Sequence, residues 1–256
     1  MTGNKFIILG SSSGLPQAGR ACSGYVLKTG ENLSLIDCGG GVTSSFLRRG
    51  LNPLDVEQVF ITHTHPDHVI DLPLFIQLLY LKGRTGPFDM YIPEEFVQPF
   101  WTFLTSVYLI EEKLGFKLNL VGYQDEFTFT GEFQLRAIGN KHLQSNGELI
   151  EQLGLPNKMQ CHSVEIEVDG KKILYSSDIA AYEDVRPHLD GKDLVVLEST
   201  HVDLEEFIEH AQTVKVGRFI ITHLGTDEEI AAIQAMAAKA GLDNLTTAVD
   251  GMEVEL

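Results

Sequence analysis

Short apolar runs alternate along this chain with turn-rich breaks. Residues 5–9 place Phe6, Ile7, Ile8 and Leu9 in succession, the pattern of a strand buried on both faces. Residues 10–16, Gly-Ser-Ser-Ser-Gly-Leu-Pro, follow as a turn. Such a turn can cradle phosphate, but neither a P-loop lysine nor a complete dinucleotide fingerprint accompanies it here, so it reads as a tight turn alone. Residues 24–27 and 33–37 predict two more strands, the glycine run at 39–41 ends the second, and 42–49 predicts a short helix. Residues 56–62 form the next apolar strand. Helical spacing covers 66–81, with Pro73 expected to kink or interrupt it. The stretch 82–127 is less regular and predicts a helical insertion, its aromatic-rich 96–114 segment carrying helical periodicity and Trp101.

Strands resume at 132–138, 163–168 and 172–176, with Asp169-Gly170 as the hairpin turn between the last two. Residues 195–197 and 218–222 predict two more. An acidic first turn, an alanine-rich body and Gly241 just beyond mark a helix at 227–240. Residues 245–249 and 253–256 are expected to make a closing strand pair. Strands in two batches, each with helices, suit an α/β four-layer αββα sandwich better than a doubly wound sheet, and 1–256 is expected to be a single domain.

Composition narrows the function classes. No apolar run reaches the roughly 18 residues that span a bilayer. The first nine residues hold too short an apolar stretch for a signal peptide. Cys22, Cys38 and Cys161 are scattered and form no CxxC pair, which argues against a disulfide framework or thiolate zinc site and for a reducing cytoplasm. Lys and Arg number 19 against 36 acids, for a formal charge of −17. Proteins that grip a phosphate backbone usually carry a basic stripe, so extended nucleic acid is a poor fit and a small-molecule substrate a better one.

The chemistry concentrates in His63-Thr64-His65-Pro66-Asp67-His68, directly after a predicted strand. Imidazole with carboxylate suits zinc, manganese or iron. In an extended loop His63 and His65 share a face and can chelate one ion. Asp67 and His68, being consecutive, leave at another angle and can reach a second ion. A chance cluster of this kind after an apolar strand is rare, whereas a lone histidine is usually a surface or core residue.

The segment His63–His68 resembles the HxHxDH signature of the metallo-β-lactamase superfamily. Around it, Leu33-Ser34-Leu35-Ile36-Asp37-Cys38-Gly39, Tyr175-Ser176-Ser177-Asp178 and Ile220-Ile221-Thr222-His223 resemble that family's flanking strands, in order. Arg20-Ala21-Cys22-Ser23-Gly24, His201-Val202-Asp203-Leu204 and Asp250-Gly251-Met252-Glu253 resemble the ribonuclease Z-like branch, and most of all the cyclic phosphodiesterase of bacterial phosphonate breakdown. The cysteine-rich zinc loop of that phosphodiesterase and the basic tRNA arm of ribonuclease Z are both missing.

The resemblance implies two divalent metal ions, zinc first and manganese or iron as alternatives. One is held by His63, His65 and a third histidine, the other by Asp67, His68 and His223, with Asp178 bridging. The third histidine is His142 or His162, and His142 matches the family position better. His201 is implied as the proton donor or phosphoryl stabiliser, Asp67 as orienting the nucleophile, and Glu198 as orienting a ligand histidine. The expected function is hydrolysis of small or cyclic phosphodiesters. Hydrolysis of carboxylic esters, thioesters or lactones is the alternative. Processing of tRNA 3′ ends and a non-catalytic binding role stand behind both. His65, where flavodiiron proteins carry Glu, argues against a di-iron redox role. A homodimer is compatible with the resemblance.

Overall fold

The computed structural model describes residues 3–256; Met1 and Thr2, the start of the stretch read as too short for a leader, lie outside them. The chain divides into two compact units, residues up to Tyr123 together with Val249–Leu256, and Gln124–Ala248. Among the described residues no helix is long and apolar enough to cross a membrane.

The first unit is built on β1 (Lys5–Gly10), β2 (Gly24–Thr29), β3 (Asn32–Cys38), β4 (Val56–Phe60), β5 (Phe88–Pro93) and β6 (Leu118–Tyr123). β14 (Glu253–Glu255) completes a seven-stranded sheet in the order β14-β1-β2-β3-β4-β5-β6. β14 to β3 pair antiparallel and β3 to β6 parallel. The parallel steps need crossovers. α1 (Val42–Arg48) supplies the first, α2 (Pro66–Val69) and α3 (Leu72–Leu81) the second, and α4 (Val97–Ser106) with α5 (Glu111–Leu114) the third. Phe75 and Ile76 of α3 and Phe100 and Leu104 of α4 join Val26, Leu35, Val59 and Met90 of the sheet in one buried core. Full burial of such a side chain contributes roughly 1.5–3 kcal/mol. The core fixes the C-terminal ends of the parallel strands, where open α/β sheets carry their ligands.

The second unit holds β7 (Thr128–Thr130), β8 (Gln134–Gly139), β9 (His162–Val168), β10 (Lys171–Tyr175), β11 (Lys192–Glu198), β12 (Val216–Thr222) and β13 (Leu245–Thr247), ordered β13-β12-β11-β10-β9-β8-β7. β7 to β10 run antiparallel and β10 to β13 parallel. Leu194–Leu197 of the central β11 are all buried, as expected of a parallel strand covered on both faces. α6 (Gly147–Leu153), α7 (Leu204–Ala211) and α8 (Asp227–Ala240) complete the unit. α8 begins on a reciprocal capping box between Thr226 and Glu229 and ends on Gly241 at φ 70°.

Several elements differ from the sequence expectation. The expected closing pair does not form: 245–247 joins β12 in the second sheet, while 253–255 joins β1 in the first. The 66–81 helix is two helices, broken at Ile70 and Asp71, and Pro73 sits in the first turn of the second, where its missing N–H costs nothing. Within 82–127, β5 and β6 flank the expected helix. Each spans only six positions with little apolar–polar alternation, too weak a signal against the aromatic background. α6, α7 and β7 were not anticipated, although Asp203 caps α7 through Glu205 N and Glu206 N ahead of buried Phe207, Ile208 and Ala211.

Candidate active site

In the first unit β4 ends at Phe60, and the chain then runs without regular structure to α2, which opens at Pro66. His63 and His68 are fully buried. Their ring centroids are 4.1 Å apart, and those of His63 and His65 are 4.9 Å apart. Asp67 Oδ2 lies 3.6 Å from His68 Nε2. The four residues read from the sequence as one cluster are thus together on this loop. The buried Asp37, at the end of β3, holds them from behind. Its Oδ2 lies 2.8 Å from His68 Nδ1, and its Oδ1 accepts from Thr62 N at 2.9 Å. Thr62 Oγ1 donates to Asp37 and lies 3.2 Å from His63 Nδ1. A carboxylate on the far nitrogen of a histidine fixes its tautomer and presents the other nitrogen to a ligand. Gly39 lets the loop approach: a Cβ there would fall 1.8 Å from the Asp67 carbonyl oxygen.

The second unit gathers its own set at the C-terminal ends of β10, β11 and β12. Asp178 follows β10, and Asn140 Nδ2 donates to its carbonyl at 3.0 Å. His223 Nε2 is 3.4 Å from Asp178 Oδ1, and His142 Nε2 is 3.6 Å from Asp178 Oδ2. Asn140 Oδ1 accepts from His142 N at 3.1 Å, so one asparagine steadies both. Thr200 Oγ1 lies 2.9 Å from His223 Nδ1, leaving Nε2 on the Asp178 side. His142 opens a short 3-10 turn after β8 rather than ending the strand. His162 instead begins β9, with Nε2 3.1 Å from Asp125 Oδ1.

His201 stands beside this set, its ring 4.8 Å from that of His142 and 6.4 Å from that of His223. The buried Glu198 carboxylate faces His201 Nδ1 at 2.8 Å and accepts from Thr200 N at 2.6 Å and His201 N at 3.1 Å. His201 is about one-third exposed while Glu198 is buried, so one imidazole nitrogen is anchored on a buried carboxylate. Asp37, Ser177 and His223 all hold positive φ (56°, 53° and 55°), a conformation costly for non-glycine residues and concentrated at functional sites.

Sequence reading missed Thr62, Asn140 and Thr200, whose hydroxyl and amide groups orient the candidate donors. Only Thr200 left a trace, two residues past Glu198 in Glu-Ser-Thr-His. His and Asp groups of this kind suit a dinuclear divalent metal site, since imidazole nitrogens with one or two carboxylates match zinc, manganese or iron.

These strand orders and loop positions are those of a metallo-β-lactamase fold hydrolase, and comparison with known proteins agrees. The chain aligns over 98% of its length, and 99% of the other's, with the metallo-β-lactamase fold protein YhfI from Bacillus subtilis (TM-score 0.76, 20% identity). It aligns over 99% of its length, and 98% of the other's, with a diphosphatase of the PhnP family (TM-score 0.70, 15% identity). A ribonuclease Z from Methanothermobacter thermautotrophicus is 26% identical over 97% of this chain and 95% of that protein. The family model for anti-Pycsar protein Apyc1 matches residues 4–227, and the chain belongs to that family. It is a metal-dependent hydrolase, as the signature at 63–68 led us to expect.

Proposed function

We propose that the chain hydrolyses small or cyclic phosphodiesters at a pair of divalent ions, and that its two units act as halves of one domain. On this reading His63, His65, His142 and Asp178 hold one ion, and Asp67, His68, Asp178 and His223 the other. Zinc is the first candidate. The observation that carries the proposal is the linked set on the 63–68 loop, with a buried carboxylate oriented on His68. The kinship with ribonuclease Z, a phosphodiester-cleaving enzyme by name, supports phosphorus over carbon as the centre attacked. The charge of −17 favours a compact substrate over an extended nucleic acid.

Divalent ions in such a site polarise phosphoryl oxygens and lower the pKa of water towards neutrality. The chain's own residues supply the rest. Asp67 and Asp178 orient the attacking water and accept its hydrogen bonds. His201, anchored by Glu198, directs Nε2 at the leaving oxygen and delivers a proton as the phosphorus–oxygen bond breaks. Thr200 and Asn140 hold His223 and His142 at fixed angles, so that little reorganises during the reaction.

The test pairs metal analysis of purified protein with parallel assays on bis-p-nitrophenyl phosphate, cyclic mononucleotides, and a lactone and thioester panel. Two ions per chain with phosphodiester turnover are expected. Turnover of acyl substrates alone would replace the proposal with the ester, thioester or lactone reading.

A further inference from the structure

Two sequence features play no part in the chemistry above, Arg20-Ala21-Cys22-Ser23-Gly24 and Asp250-Gly251-Met252-Glu253. Within the first unit they meet. Asp250 Oδ2 accepts from Ala21 N at 2.7 Å, and Oδ1 accepts from Ser11 N at 3.0 Å and Ser11 Oγ at 2.8 Å. The junction borders a cavity of about 510 Å³ whose lining includes Arg20, Arg48, Arg49 and Ser44. Three arginines in the lining of one cavity run against the charge of a chain with 36 acids and 19 bases. The one carboxylate in the lining, Asp250, already has both oxygens on the donors just named.

The arginines are placed differently. Arg49 lies against Gly251. Its Nη2 donates to the Asp250 carbonyl at 3.4 Å, and a Cβ at Gly251 would fall 2.0 Å from its guanidinium carbon. Arg48 stands exposed on the last turn of α1, with Ser44 one turn earlier on the same helix. Helix dipole and solvation account for one arginine at this position, but not for a second laid flat over a glycine and a third arriving from the 19–21 segment.

We propose that this cavity is a second binding site, for a small phosphorylated anion. The guanidinium fork matches two phosphate oxygens at once, and paired arginines hold a dianion in one orientation. The cavity exceeds what a bare phosphate fills, so a phosphate on a small organic body fits the same chemistry. None of residues 63–68 is in its lining. The Cys22–Ser23 end of the same segment is tied to Gly39 and Gly40, with Cys22 N donating to Gly40 O and Gly39 N to Ser23 O, each at 2.9 Å.

Calorimetric titration of the metal-loaded protein with inorganic phosphate, and separately with adenosine monophosphate, tests the proposal. Wild type is expected to show a binding step that the Arg48→Ala/Arg49→Ala variant weakens by roughly tenfold or more, about 1.4 kcal/mol. Hydrolysis of bis-p-nitrophenyl phosphate should stay within about twofold, and Arg48→Lys/Arg49→Lys should bind with intermediate affinity. A step with phosphate alone identifies a free-anion site, and a step with both ligands a site for phosphorylated metabolites; either supports the proposal. The step should persist in His65→Ala, which separates this site from the metal centre proposed above. Superimposable isotherms for wild type and the alanine variant, with both folded by circular dichroism, overturn it.

Discussion

Asp37 orients a candidate metal donor: its Oδ2 faces His68 Nδ1 at 2.8 Å, and both groups are buried. Asp37→Asn keeps the shape and removes the charge. Changes to such supporting partners typically cost 10–100-fold in metal affinity or activity. We expect metal content and turnover both to fall within about that range, read by metal analysis and steady-state rates; unchanged metal affinity would remove Asp37 from the site. His201 separates cleanly from this. His201→Ala should lower turnover by roughly 100-fold or more with metal content unchanged, because a positioned proton donor contributes to rate rather than to ion binding. A variant as fast as wild type on a substrate with a poor leaving group would rule out the proton transfer. The candidate donors at 63–68 were legible because one short segment carries them all. Thr62, Asn140 and Thr200 were not, because each acts on a donor through contacts that only the folded chain creates.

At the scale of elements, the loop between β4 and α2 depends on one close approach. A Cβ on Gly39 would meet the Asp67 carbonyl oxygen at 1.8 Å and Cys22 Cβ at 2.9 Å, and neither can yield without moving backbone. Gly39→Ala is expected to destabilise by about 1–3 kcal/mol and to lower metal stoichiometry, read by thermal unfolding and metal analysis. A fully stable, fully metallated variant would contradict the crowding described here. Elements with strong local signals matched their expectation. α8 had its acidic first turn and Gly241, and the β9–β10 hairpin had Asp169-Gly170, both at positive φ. The pairing of 245–247 and 253–255 into different sheets was illegible, because strand partnership is decided by tertiary packing rather than by the strand's own residues.

At the scale of the whole molecule, the excess of acidic groups ties stability to pH. Glu165 faces a cationic surround. Burial pushes its carboxyl up, but Lys192 Nζ at 2.8 Å, with His188 and Arg136, holds it below the ordinary 4.5. A carboxyl depressed by folding contributes stability that is complete above its unfolded pKa and is lost as pH falls through the folded value. The melting temperature of wild type should therefore drop more steeply below about pH 4.5 than that of Glu165→Gln, and the two curves should converge in acid. Parallel acid profiles would show that the Lys192 pair carries no linked stability. The fold class was legible at this scale because two batches of strands with interleaved helices leave few architectures.

The pairing of β14 with β1 also bears on assembly of the sheet. The first sheet contains residues 5–10, yet one of its edge strands is made of residues 253–255, which follow the whole of the second unit along the chain. Until they pair, that edge of β1 presents a row of open amide and carbonyl groups, a template for pairing between chains. A chain cut just before residue 253 should therefore aggregate, read by sedimentation, and a truncated product as soluble as wild type would contradict this. The ion pairs of Lys5 with Glu253 and Glu255, both at 2.8 Å, then latch this edge strand onto β1.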